Sequence, residues 1–225
     1  MKKSWKLAIT TIAIVVVCVL LDQLLKLWVV RNMQLGELRP LIGEWFNLHY
    51  VQNKGMAFGV SWGDNFGKLA LSLLRIGVVG YLIYYLWKKI KTNAIGIWPL
   101  ITLSLIVAGA IGNIIDSAFY GMALGIGDPR FMYGSVVDMI YIRLFMLPEW
   151  FPGFGGEYFF PAIFNFADAC VTVGIFAMII FYKQFFKDEK KKEEPASEET
   201  VSEETASEEP ASETSQPAAE TPQQN

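Results

Sequence analysis

Two carboxyl–amide pairs and one further carboxyl stand out in an otherwise apolar chain. Phe164 to Gly174 opens a run of roughly twenty mostly apolar residues that ends near Phe186, long enough to cross a bilayer as a helix. Yet it carries Asn165 and Asp168 three residues apart, a spacing that puts both on one helical face. Asn113 and Asp116 repeat the pattern in an earlier apolar run, and Asp138 follows Gly134-Ser135-Val136-Val137. An ionisable group in such surroundings is costly and is expected to face protein or water rather than lipid. No Ser-His or Cys-His arrangement accompanies these acids. Two carboxyls in one low-dielectric site cannot both ionise cheaply, so the pair holds a proton between them. The ionised member can take a proton from water while the protonated member polarises a carbonyl. That chemistry is peptide hydrolysis of the aspartic type.

Other chemistries find little footing. His49 is the single histidine, with no second histidine or HExxH spacing to make a zinc site. Cys18 and Cys170 both fall in expected spans and read as small buried hydrophobes rather than a disulfide framework or ligand pair. No phosphate-binding loop is present. No metal, no cofactor and no nucleic acid is therefore expected.

The elements that must position these groups follow from composition. Of 225 residues, 53% are hydrophobic and the mean hydropathy is +0.34, too apolar for an ordinary soluble domain. The net charge of −3 averages two unlike regions. From Glu193 onward there are ten acidic residues and no Lys or Arg, which leaves the rest of the chain at +7. The expected architecture is a polytopic α-helical membrane protein, with four transmembrane helices, a small extracytoplasmic β element and a disordered acidic C-terminal tail. Residues 1–187 would form the membrane-embedded domain and 188–225 a cytoplasmic low-complexity tail, built of recurring Ser-Glu-Glu and Ala-Ser-Glu units that cannot bury a core.

Spans are expected at about 7–30, 67–87, 94–117 and 164–186, with outer loops at 31–66 and 118–163. The first run is longer than a signal-peptide core and lacks a small-residue cleavage site, so it reads as a retained span. Within it Asp22 and Lys26 stand at i and i+4, the order and spacing of a neutralising pair on one face. A structural ion pair is the favoured reading and direct substrate contact the alternative. Phe46 to Gln52 alternates like a strand with one face packed. Asn53-Lys54-Gly55 is turn chemistry, and Met56 to Trp62 could return as a second strand. Ser104, Ala108 and Gly112 recur every four residues, a stripe that lets another helix approach closely. Val136 to Ile142 is a short apolar run with no readable period. Phe119 to Tyr133 and Leu147 to Pro161 read as loops.

Lysines 2, 3 and 6, 88 to 91, and 183 to 192 cluster at alternate span ends, which the positive-inside rule assigns to the cytoplasm together with both termini. Every intramembrane polar group then falls towards the outer face.

In this order along the chain, five blocks carry a resemblance. They are Leu21-Asp22-Gln23-Leu24-Leu25-Lys26, Asn53-Lys54-Gly55-Met56-Ala57-Phe58-Gly59, Gly109-Ala110-Ile111-Gly112-Asn113-Ile114-Ile115-Asp116, Gly134-Ser135-Val136-Val137-Asp138 and Phe164-Asn165-Phe166-Ala167-Asp168. Together they resemble the bacterial lipoprotein signal peptidases (signal peptidase II), over about residues 5–187. The resemblance implies four transmembrane helices with a small extracytoplasmic sheet. It also implies removal of signal peptides from diacylglyceryl-modified prolipoproteins by cleavage before the lipidated cysteine. On it, Asp138 and Asp168 match the catalytic pair, while Asn53, Gly55, Asn113, Asp116, Asn165 and Ala167 match supporting or substrate-binding positions, beside Asp22 and Lys26. The implied partners are lipid-modified prolipoproteins and membrane phospholipid, for a monomer in the bacterial cytoplasmic (inner) membrane. The sequence departs from the family pattern at Ser117, usually Arg, and in two longer outer segments, Ser117 to Gly134 and Asp138 to Asp168. Arg130 or Arg143 could supply the missing cation.

Two other classes compete. A proton- or ion-coupled transporter would place its acids near the midplane at broken helices. A non-enzymatic scaffold would account for the small-residue stripe and for Asp22 with Lys26, but not for Asp138 and Asp168.

Overall fold

A computed structural model describes residues 3–54, 68–153, 155–159 and 161–185. Gly55, the expected strand from Met56 to Trp62 and the acidic tail lie outside the described residues.

Helix α1 runs Lys3–Asn32 without Gly or Pro to interrupt it. Two strands follow, β1 (Leu38–Ile42) and β2 (Phe46–Asn53). Helix α2 spans Lys68–Lys91 and ends where Asn93 adopts a left-handed conformation (φ 53°), the usual helix-stopping geometry. Helix α3 (Ile97–Ile115) admits Pro99 because it falls in the first turn, where its missing N–H costs no helical bond. The chain then widens into a π-helical turn over Asp116–Tyr120 and closes with the short helix α4 (Gly121–Leu124), stopped by Gly125 at φ +68°. The helix therefore continues past the expected end of the third span at Ser117. What reads as a loop from Phe119 starts helical, because Gly121 here packs its bare Cα against the Asp128 carbonyl rather than making a turn. Strand β3 (Val136–Ile142), the two-residue strand β4 (Ile163–Phe164) and helix α5 (Phe166–Ile180) complete the described chain.

The strands form one antiparallel sheet in the order β1-β2-β3-β4. Val136 to Ile142 lacks a readable period because both its faces are covered at its start, where Val136, Val137, Asp138 and Met139 are all buried. Along β2 the register shifts: Leu48 pairs with Ile140 but Val51 with Asp138, so one extra residue bulges from β2.

The distribution of polarity is inverted relative to a soluble protein. On α1 the large side chains Ile12, Val16, Leu20, Leu24 and Trp28 are exposed, while Asp22 and Lys26 are buried. On α5 Phe176, Ile179 and Ile180 point outward and Asn165 inward. Such an arrangement is stable when the surrounding solvent is lipid. Among the described residues, two helical stretches, Lys3–Asn32 and Ile97–Leu124, are long and apolar enough by themselves to cross a membrane, whereas α5 is a shorter apolar helix.

Close helix approach comes from small residues, as the Ser104, Ala108 and Gly112 stripe suggests. A Cβ at Gly112 would meet the Asp22 carboxylate at 2.6 Å, and one at Gly109 would collide with the Ala167 carbonyl. Helix α3 thus packs against α1 and α5 at the level of the polar residues. Apolar clusters flank that level. One joins Leu7, Val79, Leu86, Leu100, Leu103 and Val107; the other joins Val29, Met33, Tyr50, Tyr120, Val137 and Met139.

Candidate active site

Helix α5 sets the position of its own polar pair. Asn165 is extended (φ −118°, ψ 178°) and caps the helix. Its Oδ1 accepts from the Asp168 N–H at 2.9 Å, and the Asp168 carboxylate accepts from the Asn165 N–H at 3.3 Å. This is a reciprocal capping box, with Asp as the third helical residue. The two residues therefore meet through the cap, not on one helical face as their spacing alone suggests. Sheet pairing delivers the cap to its target. Phe164 pairs with Ile140, so Asn165 leaves the strand opposite Met139, one residue from Asp138 along β3, and Asn165 Nδ2 donates to Asp138 Oδ1 at 2.7 Å.

The β2 bulge supplies a second donor to the same carboxyl. Asp138 pairs with Val51, and Asn53 lies two residues further along β2, on the same face. Asn53 accordingly hydrogen-bonds Asp138 from the diagonal position. Without the extra residue, the strand alternation would turn Asn53 to the other face.

Asn113 links this pair of acids to a second cluster. Its Nδ2 donates to Asp168 Oδ1 at 2.8 Å, while its Oδ1 accepts from Asn165 Nδ2 at 3.1 Å and from Lys26 Nζ at 3.1 Å. Lys26 Nζ also lies 2.8 Å from Asp22 and 2.8 Å from Asp116. Lys26 and Asp116 are both fully inaccessible and Asp22 nearly so, which makes this a buried ion triad rather than a surface pair. Both acids also accept from backbone, Asp22 through its other oxygen and Asp116 through the oxygen that faces Lys26. Asp22 Oδ1 accepts from the Ala167 N–H at 2.9 Å, and Asp116 Oδ2 accepts from the Val137 N–H at 3.2 Å. The triad thus fastens α1 and α3 to the first turn of α5 and to β3, the two elements that carry Asp168 and Asp138.

Asp22, Lys26, Asn53, Asn113, Asp116, Asp138, Asn165, Ala167 and Asp168 are brought together in one network. Gln23 belongs to it as well, although its position in a Leu-rich run gives no hint of this. Its Nε2 donates to Asp22 and Asp116, both at 3.0 Å, and its Oε1 accepts from the Tyr120 hydroxyl at 3.0 Å. The signal that could have found it is a second polar residue beside Asp22 in an apolar span. Neither arginine suggested as a replacement cation does that work. Arg130 pairs with Asp128 at 2.7 Å, and Arg143 packs over the Tyr141 and Tyr158 rings. Ser117 is buried, and its hydroxyl donates to the Asn113 carbonyl at 3.0 Å.

Burial pushes the Asp138 carboxyl up to about 7, and the nearby charge of Asp168 adds to the rise. Hydrogen bonds from Asn165 and Asn53 oppose it. A carboxyl that holds a proton near neutral pH, electrostatically coupled to a second carboxyl in a half-exposed position, has what general acid–base chemistry requires.

Comparison with known proteins places the chain in a family. The family model for signal peptidase (SPase) II matches residues 14–184. The chain is similar to the lipoprotein signal peptidase of Porphyromonas gingivalis, 40% identical over 187 residues that cover 76% of this chain and 81% of that protein. It is also similar to that of Amoebophilus asiaticus, 42% identical over 193 residues, 81% of this chain and 79% of that one. The Streptococcus pyogenes enzyme of the same name is 34% identical over 165 residues, 73% and 87% of the two chains. A solved bacterial membrane enzyme superposes with a TM-score of 0.55 at 27% identity, covering 82% of this chain and 92% of the other. A network of acids and amides on an inside-out helical scaffold, matched along three quarters of its length, makes this chain a member of the signal peptidase II family of peptidases.

Proposed function

We propose that the chain removes signal peptides from lipid-modified prolipoproteins, as an aspartic endopeptidase that cuts before the lipidated cysteine with Asp138 and Asp168 as its catalytic pair. The observation that carries the reading is the shared amide cage. Asn165 donates to Asp138 and Asn113 to Asp168, and the two amides are joined to each other.

The chemistry runs on one proton held by the pair. The ionised carboxylate takes a proton from a water as its oxygen attacks the scissile carbonyl carbon, and the protonated carboxyl gives its proton to the carbonyl oxygen. The tetrahedral diol then collapses. The C–N bond breaks, one hydroxyl proton returns to a carboxylate, and the leaving nitrogen receives the other acid's proton. Asp138, whose burial favours the neutral form, is suited to begin as the acid. Asp168 accepts an amide at one oxygen and a backbone N–H at the other, bonds that hold its carboxyl in place beside Asp138.

In this reading α1, α2, α3 and α5 are four spans. Both termini are cytoplasmic, and the sheet lies on the outer face of the inner membrane. A substrate held by its diacylglyceryl chains presents the bond before its cysteine at the depth of the dyad, among membrane phospholipids, to a monomeric enzyme. Asn53, bonded to Asp138, borders the route of the peptide, and Gly55 is assigned to substrate binding or support by its place in the motif alone.

Cleavage of a diacylglyceryl-modified prolipoprotein by the purified chain tests the activity. Release of the signal peptide, with a new N-terminus at the modified cysteine, is expected. An intact precursor under conditions where a known lipoprotein signal peptidase cleaves it would refute the reading. An alkaline-phosphatase fusion after Phe185 should be inactive, and an active one would overturn the orientation.

A further inference from the structure

Four acids, Asp22, Asp116, Asp138 and Asp168, converge in the network, and Lys26 is already shared between the first two. A second cation, Arg75, stands on α2. Ser72, Val79 and Leu86 are buried and recur every seven residues, which defines one face of that helix. Val79 and Leu86 pack in a cluster with Leu103 and Val107, so this face looks at α3. Arg75 stands three residues after Ser72 and four before Val79, on the same face, and is half-buried while its neighbours Leu74 and Ile76 are exposed. The acids within its electrostatic reach are Asp168, Asp138 and Asp116.

The competing account is a long side chain whose head simply reaches for the outer interface. That account predicts an arginine on the lipid-facing side of α2, whereas Arg75 lies on the face turned to α3, the helix that ends in Asn113 and Asp116.

We propose that Arg75 is a positioning residue for the dyad, its fixed positive charge keeping one of the two carboxyls ionised so that the pair holds a single proton at working pH. The proposal rests on the dyad reading given above. Among the described residues, the charged and polar groups in or next to the dyad's network are Asp22 and Lys26 on α1, Asn53 on β2, Arg75 on α2, Asn113 and Asp116 at the end of α3, and Asn165 before α5. Lys26 has its charge matched within the triad, and the three asparagines carry none, so Arg75 is the group whose removal changes the field at Asp168 without breaking the triad.

The test is the pH dependence of kcat and KM for a synthetic diacylglyceryl-modified prolipoprotein peptide, in wild type, Arg75→Gln and Arg75→Lys. Removing a nearby positive charge raises a carboxyl pKa, so the acidic limb of kcat for Arg75→Gln should move up by roughly one pH unit. Below that limb its rate should fall about tenfold, with KM within about twofold. Arg75→Lys should restore the wild-type limb. An unmoved limb in Arg75→Gln, whatever its overall rate, overturns the proposal, as does a rise in KM alone. If Arg75→Gln does not fold, Arg75→Cys in a Cys18→Ala, Cys170→Ala background is measured before and after aminoethylation of the thiol. Return of the limb towards acid on adding the charge supports the proposal, and no movement overturns it. Asp138→Asn separates the two claims. Normal cleavage by that variant sinks the dyad itself, while an inactive Asp138→Asn beside an unchanged Arg75→Gln profile sinks only the role of Arg75.

Discussion

The Asn165 side chain caps the helix that carries Asp168 with its oxygen and donates 2.7 Å to Asp138 with its nitrogen. One planar amide therefore fixes the separation of the two carboxyls, and neither can drift without breaking a bond to it. Asn165 is fully buried, which makes the constraint stiff.

The first prediction concerns that pair. Asp138→Asn and Asp168→Asn should each lose cleavage by at least about 10⁴-fold, and the double variant should be little worse, because groups acting as a unit fail together. Asp116→Asn should be milder, since Asp116 touches Lys26, Gln23 and a backbone amide rather than the dyad. Single-turnover cleavage of a lipid-modified precursor by folded protein decides it; near wild-type rates in either of the first two would end the dyad assignment.

Stability should depend on pH through Asp138. Its carboxyl is raised to about 7 in the fold against about 3.9 in an unfolded chain. Between those values the folded protein keeps a proton that the unfolded chain has released, so stability falls as pH rises through this window and levels off above about 7. Asp138→Asn has no such ionisation to suppress. It should melt higher than wild type at pH 8, with the advantage shrinking towards pH 5. Melting curves in detergent across that range check this, and an advantage that grew at acid pH would contradict the sign.

Lys26 should be the most costly single charge to remove. Lys26→Met leaves Asp22 and Asp116 buried against each other, a loss of about 3–5 kcal/mol for a broken buried pair. Converting all three, as Asp22→Asn, Lys26→Met and Asp116→Asn together, should recover much of that loss. Thermal unfolding of the single and triple variants compares them, and a triple variant no more stable than the single would count against a charge-balance role.

A fourth prediction is steric. Gly109→Ala places a Cβ against the Ala167 carbonyl and within 2.7 Å of Val171, in a contact between helix backbones that has no flexible side chain to yield. The variant should lose activity with its melting temperature, whereas Gly80→Ala, where a Cβ meets nothing within 4 Å, should keep both.

Much of this site was legible in the sequence because its residues announce themselves by cost. Asp22 and Lys26 four apart in an apolar run can hardly face lipid unpaired, and they do pair. The alternation of Phe46 to Gln52 gave β2 nearly to the residue. Other elements left weaker traces. Strand β1 holds Pro40, which an edge strand tolerates but which reads as loop. The two Asn-x-x-Asp tetrads look alike yet work differently. Asn165 and Asp168 build a helix start, whereas Asn113 and Asp116 straddle the point where α3 widens into its π turn. Nothing in four letters distinguishes those uses. Gln23 was missed because two of its partners, Asp116 and Tyr120, come from a distant segment, and only Asp22 beside it hints at the polar face they share.

Because Asp22 and Lys26 lie on one helix, their charges cancel as soon as that helix forms, before any later part of the chain exists. Asp116 is synthesised only after α2, and it arrives at a lysine already balanced by one acid. Asn165 comes last, near the end of the folded region, and with it the bond to Asp138 and the start of the helix bearing Asp168. The order of synthesis is therefore an order of neutralisation, and a nascent chain carries no complete network of acids and amides until almost all of residues 3–185 have left the ribosome.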